Sequence, residues 1–143
     1  MPNHKTHDRT GLLLTPAVVA GGYISHLDIN HLTILTFSYV VATYLLTPDL
    51  DTNSAPYHRW RIFRFLWFPY KQLIPHRSLL SHSGPISGTI RFLYFMSILV
   101  GILWALGIQP MQLLTLASYF GILWVSIVLV DIIHVILDLV WKD

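Results

Sequence analysis

The chain has no cysteine and no glutamate, and it carries little charge of either sign: 9 Lys and Arg with 7 acidic residues, all Asp, make up only 11% of it. Without cysteine, a disulfide framework and a thiolate metal site are both excluded, so any bound metal depends on nitrogen and oxygen donors. A soluble domain averages about 25% charged residues. Water is therefore not the main solvent of this chain, 54% of which is hydrophobic. Asp forms helices less readily than Glu and favours caps, turns and metal sites. Against these shortages stand 8 histidines in 143 residues, many for a chain with room for one domain.

Four apolar stretches follow one another: Gly11–Ser25, His31–Thr47, Thr89–Ile108 and Met111–Trp141. A helix needs about 20 residues to cross ~30 Å of hydrocarbon, with ~17 as the lower limit. The last two qualify directly, and the first two do so once polar flanks are counted. Thr6 as a helix cap lengthens the first and puts His7 and Asp8 in its opening turn. Thr15-Pro16 kinks it, which a bundle tolerates. Lys5 and Arg9 before an apolar run have the outline of a signal peptide. The second apolar run follows almost at once, so the expectation is an uncleaved first span. The fold class expected is all-α: a multi-pass membrane protein with transmembrane helices at about 6–26, 30–47, 89–108 and 111–141, and an interfacial segment over 48–88. The last stretch, about 45 Å long at 1.5 Å per residue, extends past the hydrocarbon at its Asp131–Asp138 end.

With four crossings, Lys5, Arg9, Arg59, Arg61, Arg64, Lys71, Arg77, Arg91 and Lys142 all fall on one side, and the turns His26–Asn30 and Gly107–Pro110 contain no Lys or Arg. The positive-inside rule makes that side cytoplasmic, with both termini inside. The run Trp60–Lys71 interleaves aromatics with cations, a pattern that serves single-stranded nucleic acid in some proteins. Between membrane spans it suits headgroup depth instead, so the expected partners are the lipid bilayer and its anionic headgroups, or a membrane complex, rather than nucleic acid.

Four separate regions bring His or Asp to that same side: His7-Asp8, Asp49 and Asp51, His76 and His82, and Asp131, His134 and Asp138. Imidazole with carboxylate suits zinc, manganese or iron, and two adjacent ions can share such a set. His134 and Asp138 are four apart on a helix and share a face, with Asp131 on nearly the same stripe. The plainer alternative is a helix end that reaches water. Asp49 and Asp51 flank Leu50 in a proline turn, which alone is ordinary turn chemistry. Six residues separate His76 from His82, so a turn must bring them together. His4, His26, His31 and His58 are expected to be interfacial or solvated. No phosphate loop, nucleophile elbow or Ser-His-Asp order is present.

The segments THDR (Thr6–Arg9), PDLD (Pro48–Asp51), YHRWRIFRFLWFPY (Tyr57–Tyr70), HRSLLSH (His76–His82) and the closing His134 with Leu137-Asp138 resemble, in this order, a bacterial family of predicted metal-binding membrane proteins of unknown function. The skeleton is also similar to a wider class of inner-membrane proteins predicted to be metal-dependent hydrolases. The resemblance implies a bacterial inner or internal membrane and one or two divalent transition-metal ions. Its implied ligands are His7, Asp8, Asp49, Asp51, His76, His82, His134 and Asp138. Where many relatives end the last motif in His…Ser-Asp, this chain has His134-Val-Ile-Leu-Asp138. Three functions stay open: a hydrolase of a phosphate or acyl ester near the membrane, in which Asp51 accepts the proton and Arg77 orients the anion; a subunit or assembly factor whose cluster is structural; and a pigment or haem binder using His134 or His82.

Overall fold

The computed structural model describes residues 4–140, so Trp141, at the end of the expected fourth span, and Lys142, one of the orienting cations, lie outside the described residues. Helices α1 (His4–Leu13) and α2 (Thr15–Ile24) come first, then α3 (Ile29–Leu45). Proline lacks an N–H and crowds the carbonyl four residues back, so with Pro16 the expected single kinked helix becomes two helices that meet at Leu14. The chain turns, and Asp28 starts α3 by accepting hydrogen bonds from the backbone N–H groups of Asn30 and His31. Pro48 stops α3 and opens a 3₁₀ turn, Pro48–Asp51.

The stretch expected to be interfacial is a string of short helices: α4 (Ala55–Arg59), capped by Ser54, a 3₁₀ segment Arg61–Trp67, α5 (Phe68–Leu73) and α6 (Leu79–His82). Its aromatics divide. Trp67 and Tyr70 are buried in the core, with Trp67 against Trp60, Tyr70, Tyr94 and Phe95, whereas Ile62, Phe63, Phe65 and Phe68 point outward. Two long elements follow: α7 (Pro85–Ala105), then α8 (Pro110–Leu113), which leads through a 3₁₀ turn at Leu114–Leu116 into α9 (Ala117–Val140).

Side-chain pairs give the directions of the helices. His31 meets Ser118 and Ser38 meets Ser126, so α3 and α9 run parallel. Ser87 meets Asp131 and Thr89 meets Trp124, so α7 runs against α9. Gly11 lies on Thr43 and Gly22 on Leu32, so α1 and α2 run against α3. A Cβ at Gly88 would stand 3.0 Å from the Val128 Cα, and this close approach lets α7 pack on α9. The His4 end of α1, the Leu45 end of α3, the Pro85 end of α7 and the Val140 end of α9 thus meet at one end of the bundle.

No strand occurs among the described residues, as an all-α fold requires. Four membrane-length helices were expected, and two are long and apolar enough to cross: Pro85–Ala105 and Met111–Val140. The third candidate, α3, has 17 residues, and the first is divided at Leu14 into two helices of 10. Only 17% of the most apolar window of α7 and 33% of that of Met111–Val140 is buried, unlike the core helix of a soluble domain.

Candidate metal centre

At the end where the four helix termini meet, imidazoles and carboxylates alternate. His7 Nε2 on α1 lies 3.3 Å from Asp138 Oδ1 on α9, and His134 Nε2 lies 3.5 Å from Asp138 Oδ2. The His7 and His134 rings stack, with centroids 3.9 Å apart. Asp49 Oδ1, in the turn after α3, is 3.7 Å from both His134 Nε2 and His82 Nε2. His82 Nδ1 lies 2.9 Å from Ser81 Oγ and 3.9 Å from Asp51 Oδ2, and His76 Nδ1 is 2.9 Å from Asp51 Oδ1.

Three overlapping ligand groups result: His7, His134 and Asp138; Asp49, His82 and His134; and Asp51, His76 and His82. Most of these separations exceed the 2.7–3.2 Å typical of an N–H···O hydrogen bond. They are close to the spacing of neighbouring ligands that each stand about 2.0–2.2 Å from one ion. Two further observations fit a metal. His7 Nδ1 and Asp51 Oδ2 are buried and have no hydrogen-bond partner, and every donor is nitrogen or oxygen, as borderline divalent ions accept. Asp49 is poised as a ligand. Burial pushes its carboxyl up, but the neighbouring His82, His134 and His7 imidazoles outweigh this and hold it down at about 2.

The motif residues do not all converge. Asp8, expected among the ligands, turns away and accepts a forked pair of hydrogen bonds from Arg59 of α4, which also donates to the Tyr44 carbonyl. It belongs to none of the three groups. Asp131, on the same stripe as His134, pairs with Arg91 of α7, and both side chains are fully buried. Arg77 is exposed in the turn after His76, in the left-handed region at φ 58°, a conformation that costs energy for any residue but glycine. The turn points His76 back to Asp51. The gap lined by His7, Tyr39 and His134 is about 10 Å³, too small for a pigment or haem ring on that side of His134.

Arg91 is the residue that sequence reasoning used only as an orienting charge. Its guanidinium donates to Asp131, to the Leu46 carbonyl at 3.3 Å and to the Ser81 carbonyl at 3.4 Å, while Ser87 Oγ donates to Asp131 Oδ2 at 2.6 Å. Leu46 precedes Asp49, Ser81 adjoins His82, and Asp131 lies one turn from His134. One buried cation thus ties together three segments that carry ligands. The signal was available, since Arg91 is the sole charged residue of α7, and a lone charge in an apolar helix calls for a partner.

At the opposite end, His31 is also bonded rather than solvated: Nδ1 pairs with Asp28, and Nε2 lies 3.2 Å from Ser118 Oγ.

This geometry agrees with what the sequence matches. Residues 2–133 match the family described as uncharacterized metal-binding protein, DUF2227. The chain belongs to this family. It is also similar to an uncharacterized protein of Aquifex aeolicus (strain VF5), 31% identical, with 71% of this chain and 85% of the relative covered. No solved structure matches the chain. The protein thus belongs to a metal-binding family, and among its described residues the His and Asp groups at this end of the bundle could hold a metal ion.

Proposed function

We propose that the protein is a membrane-embedded, metal-dependent hydrolase of a phosphate or acyl ester presented at the membrane surface. The observation that carries this reading is the overlap of the ligand groups: His82 and His134 each belong to two of the three. Such overlap suits one ion or an adjacent pair. A divalent ion held there polarises a phosphoryl or acyl oxygen and makes water more acidic.

The chain's own residues supply the rest. Asp49 is ionised at any ordinary pH and offers a carboxylate oxygen between His82 and His134. Asp51 holds His76 through one oxygen and keeps the other buried without a hydrogen bond, 3.9 Å from His82 Nδ1, a proton acceptor at the edge of the cluster. The His76 side chain is 39% exposed, against 4% for His134, so the cluster opens to solvent at His76. Arg77 occupies that same turn and orients the anionic group. Zinc, manganese and iron all accept this donor set.

The membrane setting rests on the outward-facing apolar surface of α7 and α9, with α3 and the α1–α2 pair completing four spans in a locally thinned bilayer. Every described Lys and Arg belongs to α1 or to the stretch from α4 to the first turns of α7, which supports a cytoplasmic centre and termini. The test is to purify the protein without chelator, measure bound metal, and offer phospholipids and chromogenic phosphate and acyl esters in liposomes. Metal at a fixed ratio with metal-restorable turnover is expected. A metal-loaded protein that hydrolyses none of them, in a strain whose deletion mutant loses a stable membrane complex, would move the assignment to an assembly factor.

A further inference from the structure

A second feature lies beside the metal centre. Where α1 and α2 part at Leu14, a groove of about 540 Å³ opens between α2, α3 and α9. The α2 wall is built of small residues, Ala17, Val18, Gly21 and Gly22, and the α9 wall runs from Ile122 to Ile133. The lining is apolar except for Ser25, and the volume lies in the ~300–1,000 Å³ range of ligand sites. From Ile122 to Ile133 the groove follows α9 for about 16 Å at 1.5 Å per residue. That is about half of the ~30 Å hydrocarbon thickness of a bilayer, the depth of one leaflet. The groove also runs along the bundle axis, the direction of lipid chains.

Its inner end decides the occupant. Ile133 lines this groove and also the small gap formed by His7, Thr47, His134 and Leu137. One isoleucine side chain therefore stands between an apolar slot and two of the ligand imidazoles. A bilayer lipid unconnected with the centre, or a second copy of the chain, has no reason to need that continuity. We propose that the groove between α2, α3 and α9 binds one hydrocarbon chain of a lipid amphiphile whose polar head meets the metal centre. This rests on the hydrolytic reading above and narrows its substrate to an ester of a long-chain lipid. Gly21 keeps the slot open, since a Cβ added there meets nothing within 4 Å.

That open space provides a clean variant. Gly21→Phe puts a ring on the groove wall at a position where an added Cβ meets nothing within 4 Å, and Gly121→Phe, on the outward face of α9 where an added Cβ also meets nothing, is the control. Wild type and both variants are reconstituted in phosphatidylcholine vesicles containing phosphatidylglycerol with a photoreactive diazirine in one acyl chain, either near the glycerol or near the chain end. Labelled residues are mapped by mass spectrometry, and bound metal is measured in parallel. In the wild type, the head-proximal probe should label around Ile133 and Leu137, and the chain-end probe around Gly21, Leu27 and Ile122. Gly21→Phe should cut both at least about tenfold with metal content unchanged, and Gly121→Phe should leave both intact. Where turnover is present, Gly21→Phe should lower it for a long-chain ester and spare a short soluble one.

Labelling spread over all outward faces and indifferent to Gly21→Phe would overturn the proposal, as would the reverse polarity of the two probes. So would loss of a dimer in Gly21→Phe with no groove labelling, which would assign the slot to a second copy. Because labelling and metal content do not depend on turnover, a groove that labels as expected in a protein that hydrolyses nothing leaves the chain site standing and removes the hydrolase reading alone.

Discussion

Each end of the bundle has histidine facing aspartate, and the two ends differ in where the partners come from. At the far end, Asp28 and His31 are three residues apart, the Asp28 side chain is 58% exposed, and the same carboxylate caps α3. Helix starts commonly recruit such a residue. At the near end, His7, Asp49, Asp51, His76, His82, His134 and Asp138 arrive from four regions of the chain, and His7 and His134 are less than a tenth exposed. The far pair is in close contact, whereas the near donors mostly stand 3.3 to 3.9 Å apart. The contrast teaches that a His–Asp contact acquires the character of a metal site when its members are distant in sequence, buried and held slightly apart. Local, exposed and tightly bonded, the same pair is a cap.

The strongest way to break this comparison is to attack what holds the near end together. Asp131→Ala leaves the buried Arg91 without its counter-charge, and losing one partner of a buried pair costs about 3–5 kcal/mol. Unfolding in detergent should show that loss, and the double change Arg91→Leu with Asp131→Leu should recover most of it. If Asp131→Ala is nearly neutral, the near end is not organised by this pair.

Metal affinity comes next. His134→Ala and His82→Ala each remove a donor shared by two groups, so affinity measured by competition with a chelator should fall by more than the ~100-fold reached by outer-shell changes. His31→Ala should leave it unchanged. Equal affinity in all three variants would mean that the ion binds elsewhere.

Acid titration of the metal-free protein sharpens the contrast further. The folded Asp49 carboxyl, held at about 2, lies below its ordinary value of 3.8. Its contribution is therefore fully present above about pH 4 and is lost as the pH falls through about 2, roughly 2 kcal/mol in all. Asp49→Asn should flatten that part of the stability–pH curve. An unchanged curve would show that the carboxylate is not stabilised by its neighbouring imidazoles.

The smallest effect belongs to the far end. Asp28→Ala removes a cap and should cost about 1 kcal/mol with metal content unchanged. A loss of metal there would erase the distinction between the two ends.

Much of the near end was legible in the sequence because its motifs are local. Pro48 stops α3 and sets Asp49 and Asp51 in a turn. The spacing of His134 and Asp138 puts them on one helical face, and the lack of cysteine restricts the donors to nitrogen and oxygen. The fate of each carboxylate was not legible. Asp8 and Asp131 have the same local credentials as Asp138, yet Arg59 and Arg91, from 40 or more residues away, take them as ion-pair partners. Trp67 and Tyr70 have the composition of interfacial anchors, and packing against Tyr94 and Phe95 put them in the core instead. The sequence by itself determined the helical content, the donor chemistry and the side of the bundle on which the donors gather, since each depends on composition and short-range periodicity. Only the tertiary structure decided which carboxylates remain for a metal, which arginine locks the ligand segments, and that an apolar groove ends one side chain from the centre. Those outcomes depend on which distant groups meet, and a side chain's direction about its own helix carries no information about the partner that arrives from another.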